Sequence, residues 1–196
     1  MQQMALDALS DVSDDALMVL YANGDMMAGR ALALRLTPRL MGYAARLLGD
    51  RTEAEDVTQE AMLRLWRIAP EWRQGEARIT TWLYKVVSNL CVDRLRRGQH
   101  SSLEAAADAE APDPPVFERM IETDRVSALE AALKLLPERQ RQAVILRHLE
   151  ELGNAEISGV MEIGIEAVES LVARGKRNLS AILSGRSAEL GYGEDG

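Results

Sequence analysis

Residues 52–70 read TEAEDVTQEAMLRLWRIAP, and the fold of the chain can be worked out from the way that stretch repeats. Ala54, Val57, Ala61, Leu65 and Ile68 recur at spacings of three and four, which predicts a helix with one buried stripe. Asp56, Gln59, Glu60 and Leu63 recur at the same spacing on another side. Thr52 and Glu55 have the spacing of a capping box, and Pro70 stands just past the far end. The second stripe is acidic and amide-bearing with one exposed aliphatic residue, a surface on which a basic helix of a partner could dock. Spacing alone equally allows an ordinary solvated face.

The chain on either side reads as more helix. Ser13-Asp14-Asp15 can cap a short helix through about Ala22, and Asn23-Gly24-Asp25 is a turn. A longer helix is expected from about Met26 to Leu48, with Pro38 kinking or breaking it and Gly49-Asp50 ending it. After a loop from Glu71 to Thr80, a helix over Thr81–Arg97 places Leu83, Val86, Val87 and Leu90 inward. Lys85, Asn89, Asp93 and Arg96 fall on its other side, and Arg94 to Arg97 form a basic end that suits a helix C-terminus. Trp66, Trp72 and Trp82 read as core anchors.

From Gly98 to about Asp124 the composition turns to Ala, Asp, Glu and Pro, the signature of a tether that need not pack. Beyond it, Leu136-Pro137-Glu138-Arg139-Gln140-Arg141 opens a second helical block, with helices expected at about 125–135, 138–150, 154–161 and 165–183. Pro137 suits a helix start and Asn154 a cap. In the last helix Val168, Leu171, Val172 and Leu179 point inward, leaving Glu166, Ser170, Arg174, Lys176 and Arg177 to solvent. A short helix, a tight turn and a longer helix with a basic end make a helix-turn-helix pattern. The fold class is all-α: two small helical domains, 13–98 and 125–184, joined by an acidic linker, 99–124.

Charge follows the same divisions. The net charge of −8 argues at first against a nucleic-acid partner. Residues 1–29 carry five acids and no base, 101–124 sum to −6 and 187–196 to −3, whereas 30–100 come to +5 and 125–186 to +1. The acidity sits in tails and linker, and the first folded block is basic. Such a distribution suits a protein that meets DNA once another body holds it.

One cysteine, Cys91, excludes an internal disulfide and is expected to be a small buried residue. His100 and His148 join no Cys/His ligand pattern, so neither a metal nor a cofactor is expected. Asp14-Asp15 and Glu150-Glu151 read as caps and solvated faces, and no phosphate-cradling glycine loop or nucleophile elbow appears. No catalytic site is expected. With no signal-like segment and no run long enough for a membrane span, a cytoplasmic protein is the expectation.

The motif around Glu55–Trp66, the run W-L-Y-K-x-x-x-N-L-x-x-D-x-L-R-R over residues 82–97 and the Leu136–Arg141 segment, in this order, resemble the extracytoplasmic-function subgroup of the sigma-70 family. The resemblance covers roughly residues 13–100 and 125–184. It implies a dissociable promoter-specificity subunit of bacterial RNA polymerase. Asp56, Gln59, Glu60 and Leu63 would then dock on the β′ clamp of core polymerase. Arg73, Gln74, Arg78, Lys85, Asn89, Arg94, Arg96 and Arg97 would meet the −10 promoter element as single-stranded DNA, where stacking offsets the few kcal/mol of base extrusion. The second domain would sit at the β flap, with Glu166, Ser170, Arg174, Lys176 and Arg177 reading the −35 element in the major groove. A cognate anti-sigma factor is the further partner implied.

The turn Met161-Glu162-Ile163-Gly164 departs from the family's usual Leu-Gly-Ile-Ser, and Leu152-Gly153-Asn154 replaces its small-polar-aromatic run, so the detail of −35 reading is left open. Two rivals stand beside this reading. One is a decoy that titrates an anti-sigma factor without binding DNA. The other is a free-standing helix-turn-helix regulator, which ought to bind duplex DNA unaided.

Overall fold

The computed structural model describes residues 9–72, 75, 78–105 and 121–187, with side-chain surroundings for all but 98–105, 121–126 and 186–187. The described residues are all-α. In chain order the helices are α1 (Asp14–Ala22), α2 (Met26–Leu48), α3 (Arg51–Ile68), α4 (Ile79–Ala105), α5 (Ile121–Lys134), α6 (Glu138–His148), α7 (Asn154–Met161) and α8 (Ile165–Ser187), with a 3-10 turn over Ala69–Glu71.

Side-chain oxygens start the first three helices. Ser13 accepts from the Ala16 N–H, Asp25 from Met27 and Ala28, and Asp50 from Glu53, each satisfying donors that a helix start leaves open. The expected Thr52/Glu55 box is therefore corrected. Gly49 ends α2 in the left-handed conformation, φ 72°, which puts Asp50 directly at the next N-cap and leaves Thr52 inside the first turn. Pro38 does not break α2, which runs unbroken for 23 residues.

α4 begins at Ile79, two residues before the expected start, because its first N–H is capped from another helix: Ile79 N–H donates to Asp15 Oδ1 at 2.8 Å. Its helical backbone continues to Ala105, and α5 already begins at Ile121, so helix overlaps both ends of the stretch expected as linker. The middle of that stretch, 106–120, lies outside the described residues.

α2 is the central post, packing against α1, α3 and α4. Leu32, Leu36, Leu40, Val57, Ala61, Leu65, Leu83 and Val87 are buried between them. Each large aliphatic side chain so buried stabilises the fold by about 1.5–3 kcal/mol. Cys91 belongs to this core, and burial pushes its thiol pKa up to about 12, so it is inert packing. Trp66, Trp72 and Trp82 are half-buried at its margin, Trp66 edge-on to Tyr21 and Trp72 edge-on to Trp82.

α5–α8 form a second group in which α8 crosses α6 and packs against α5 and α7. α7 is not capped by Asn154. Gly153 is the N-cap, Glu156 reaches back to its N–H at 2.9 Å, and Asn154 turns instead to Glu169. Pro137 likewise stands just before α6 rather than within its first turn. The helix-turn-helix turn closes with Ile163 N–H donating to the Ser158 carbonyl, and Glu162 holds the left-handed position at φ 54°.

A glutamate there is strained where a glycine would be at ease. Glu162→Gly is therefore expected to stabilise the second group by about 0.5–1 kcal/mol. Urea unfolding would register this as a higher midpoint at unchanged slope; a lower midpoint would refute it.

Candidate functional site

On α3 the two stripes separate as the spacing predicts. Ala54, Val57, Ala61 and Leu65 are fully buried and Ile68 partly so. Asp56, Gln59 and Leu63 are exposed and Glu60 half-buried on the other side. The acids are partly held by the protein's own bases. Arg64 donates to Glu60 at 2.9 Å, and that hydrogen bond keeps the Glu60 carboxyl below the usual carboxylate range. Arg94 lies 3.7 Å from Asp56 and pairs with Glu53. Between α2 and α3 opens a groove of about 400 Å³ that sequence reading missed. Met41, Thr58, Met62 and Trp66 line it together with Gln59 and Leu63. Gln59 and Leu63 of the predicted stripe thus edge an apolar trough beside Glu55, while Asp56 and Glu60 lie off it, farther round α3.

The structure gathers some of the candidate bases on α4 and separates others. Lys85, Asn89 and Arg96 share one face by helical period, and Arg78 sits just ahead of the helix. Arg94 points the opposite way, onto α3, and does not join them. Arg97 is exposed and donates back to the Asp93 carbonyl. Arg73 and Gln74 lie outside the described residues.

On α8, Glu166, Arg174 and Arg177 are exposed along one side with Ser170 half-buried among them, and Arg174 donates to Ser170 Oγ at 2.6 Å. Lys176 departs from that side. It lines an apolar cleft of about 260 Å³ with Leu129, Leu133, Val144, His148 and Leu179. Burial, then the charges of Lys176 and Arg147, hold the His148 pKa below its ordinary value.

The largest correction concerns Glu150, expected on a solvated face. It is buried, and its carboxyl accepts from Tyr84 Oη at 2.5 Å and lies 3.5 Å from Arg46. Nearby, Tyr43 Oη bonds Ser88 Oγ at 2.7 Å and receives Gln142 Nε2 at 3.4 Å. The two rings meet edge to face, with centroids 5.1 Å apart. Burial first raises both phenol pKa values, so each keeps its proton to donate. Asp14 and Asp15 do not cap α1, which Ser13 does: Asp14 pairs with Arg35, and Asp15 caps the distant α4. Among the described residues no cluster of His, Cys, Asp and Glu could hold a metal, and no helix is long and apolar enough to cross a membrane.

Comparison with known proteins agrees with this architecture. The family described as Sigma-70 region 2 matches residues 32–101, and Sigma-70, region 4 matches residues 127–179. The ECF RNA polymerase sigma factor SigE of Mycolicibacterium smegmatis is 32% identical over 87% of this chain and 68% of its own length. The ECF RNA polymerase sigma factor SigM of Mycobacterium tuberculosis is 31% identical over 87% of this chain and 85% of its own. Among solved structures, the sigma factor RpoE in complex with the anti-sigma factor NepR from Bartonella quintana shares the fold. Its TM-score is 0.66 at 20% identity, covering 79% of this chain and 96% of that one. With α2–α4 holding the region 2 match and α5–α8 the region 4 match, the chain belongs to the sigma-70 family, in its extracytoplasmic-function subgroup of alternative sigma factors.

Proposed function

We propose that residues 13–98 dock the chain on the β′ clamp of core RNA polymerase and read the −10 element, and that residues 125–184 sit at the β flap and read the −35 element. The observation that carries this is the division of α3: one stripe is buried, and the Asp56, Gln59, Glu60, Leu63 stripe is turned outward, with Gln59 and Leu63 edging an apolar groove. An apolar trough edged by Glu55, with Asp56 and Glu60 on the neighbouring face of α3, fits a basic amphipathic helix, with charge setting orientation and encounter rate and the trough supplying burial.

Lys85, Asn89 and Arg96 offer a face for single-stranded DNA, and Arg174 with Glu166 offers donors and an acceptor for base edges. Arg94 is better read as a brace for α3. Lys176 is better read as part of the apolar cleft, which suits an apolar helix tip such as the flap's.

The protein works in the cytoplasm, where its polymerase is, and has no catalytic centre of its own. The sigma factor of this fold solved with the anti-sigma factor NepR supports a cognate anti-sigma factor as its regulator. The test is run-off transcription from a promoter of its own genetic neighbourhood with purified core polymerase. Specific transcripts are expected only when the protein is added. Binding to an anti-sigma factor without binding to core would overturn the reading in favour of a decoy.

A further inference from the structure

Between α2, the start of α3 and α5 opens a cleft of about 580 Å³ that the docking and promoter surfaces do not use. Its charge is one-sided. Arg46, Arg51 and Lys134 line it against a single acid, Glu130, and Pro38, Met41 and Ala45 give it an apolar wall.

The three cations are held loosely. Arg46 Nη1 lies 3.5 Å from Glu150, Arg51 Nε lies 3.4 Å from Glu55, and Lys134 Nζ donates to the Gly49 carbonyl at 3.3 Å. A guanidinium carries five N–H donors and an ammonium three, so these contacts leave most of the donors for another acceptor. Like charges gathered round one cavity also repel, and a shared counter-charge relieves all three at once.

The floor of the cleft is shaped for them. Gly42 sits inside α2, where glycine is normally a weakness and no turn calls for it. A Cβ there would stand 3.0 Å from Arg46 Nη1, so the missing side chain is what lets the guanidinium lie back along α2. Gly49 does the same for Lys134, whose Cε would lie 2.8 Å from an added Cβ.

Size and charge then name the ligand class. Cavities of roughly 300–1,000 Å³ hold small organic molecules, and a lone phosphate would fill little of this one. Phosphate oxygens take paired bonds from guanidinium groups and a strong one from an ammonium. The apolar wall suits an uncharged ring, and Glu130 can accept from amine or hydroxyl groups. We propose that this cleft binds a nucleoside diphosphate, with Arg46, Arg51 and Lys134 on the phosphates and the nucleoside between Pro38, Met41 and Glu130. The site goes beyond the polymerase and promoter contacts and rests on neither.

The test is isothermal titration calorimetry of the full chain with GDP and with ADP, at low salt, without divalent ions, DNA or polymerase. One site with a Kd on the order of 10–100 µM is expected. Arg51→Ala and Lys134→Ala remove exposed side chains, and each should weaken binding about ten-fold. Gly42→Leu keeps every charge but fills the cleft, and should weaken binding as much. Circular dichroism checks that this variant folds; if it does not, the two exposed variants decide alone. Arg30→Ala removes an exposed charge about four turns away on α2 and should change nothing.

Absence of binding at about 1 mM nucleotide overturns the site. An equal loss in Arg30→Ala also overturns it, because the attraction would then be one of net charge. A loss in Lys85→Ala would place the nucleotide on the DNA-facing side of α4 instead. Inorganic pyrophosphate should bind at least about ten-fold more weakly than GDP, and equal binding would overturn the assignment to a nucleoside diphosphate.

Discussion

Replacing Asp56, Gln59 and Glu60 together with alanine will weaken binding to core polymerase by about 100-fold or more and abolish promoter-dependent transcripts. The three side chains stand outside the core, on the far side of α3 from Val57, Ala61 and Leu65, so their loss removes no packing. Alanine also keeps α3 a good helix former. Thermal unfolding is therefore expected to move by no more than about 2 °C, which separates lost docking from lost folding. The Asp56–Arg94 and Glu60–Arg64 contacts must compete with any partner for the same acids. The gain from docking is accordingly smaller than three free carboxamide and carboxyl groups would give, and more sensitive to salt.

Leu63→Ala, on the groove rim, should weaken binding with little change in salt dependence, because it removes apolar contact and no charge. Fluorescence anisotropy of labelled protein against core polymerase, at two salt concentrations, reads both effects. A triple variant that binds within two-fold of the parent would remove α3 as the docking face.

What the sequence made legible was what local period and local chemistry control. The buried stripe of α3, the inward positions of α4 and the four helices of the second group follow from spacing alone, because a residue's face is set by its angular position. The signal that Arg94 leaves the basic face was also there. It lies nine residues after Lys85, half a turn round the helix, so the two share a motif but not a face. Lys176 and Arg177 likewise point apart although adjacent.

Other features had no local signal. Glu150 follows α6 beside another glutamate and looks solvated; only the arrival of Tyr84 and Arg46, 66 and 104 residues earlier, makes a buried site for it. The early start of α4 depends on Asp15, 64 residues away. Each of these is a tertiary contact, and a single sequence carries no record of which polar group meets which. The cap at Asp50 was an intermediate case. Asp50 and Thr52 are both good N-caps, and the choice fell to whichever follows a left-handed Gly49 directly.

Gly175→Val will destabilise the second helical group by about 3 kcal/mol or more and remove −35-dependent transcription. Nothing in the sequence marks this glycine, which sits in mid-helix where glycine is normally a weakness. The structure gives the reason. A Cβ at position 175 would lie 2.5 Å from Val144 Cγ2 and 3.1 Å from the Gln140 backbone oxygen. Val144 is buried and stiff at χ1, and the carbonyl belongs to α6 and cannot swing away. α8 can accept a larger residue only by backing off α6, which opens the core around Val168 and shifts Glu166, Arg174 and Arg177 together.

Gly175→Ala sets two effects against each other: helix propensity favours alanine by about 1 kcal/mol, and overpacking opposes it by about 1–3 kcal/mol. With the neighbours this close overpacking wins, and a net loss of about 1–2 kcal/mol is expected. Gly185 supplies the control on the same helix. Nothing lies within 4 Å of its added Cβ, so Gly185→Ala should stabilise by about 0.5–1 kcal/mol through propensity alone. Urea unfolding of the three variants should therefore give midpoints on both sides of the parent. If Gly175→Ala moved upward with Gly185→Ala, the close crossing of α8 on α6 would not constrain this protein, and its glycine would need another explanation.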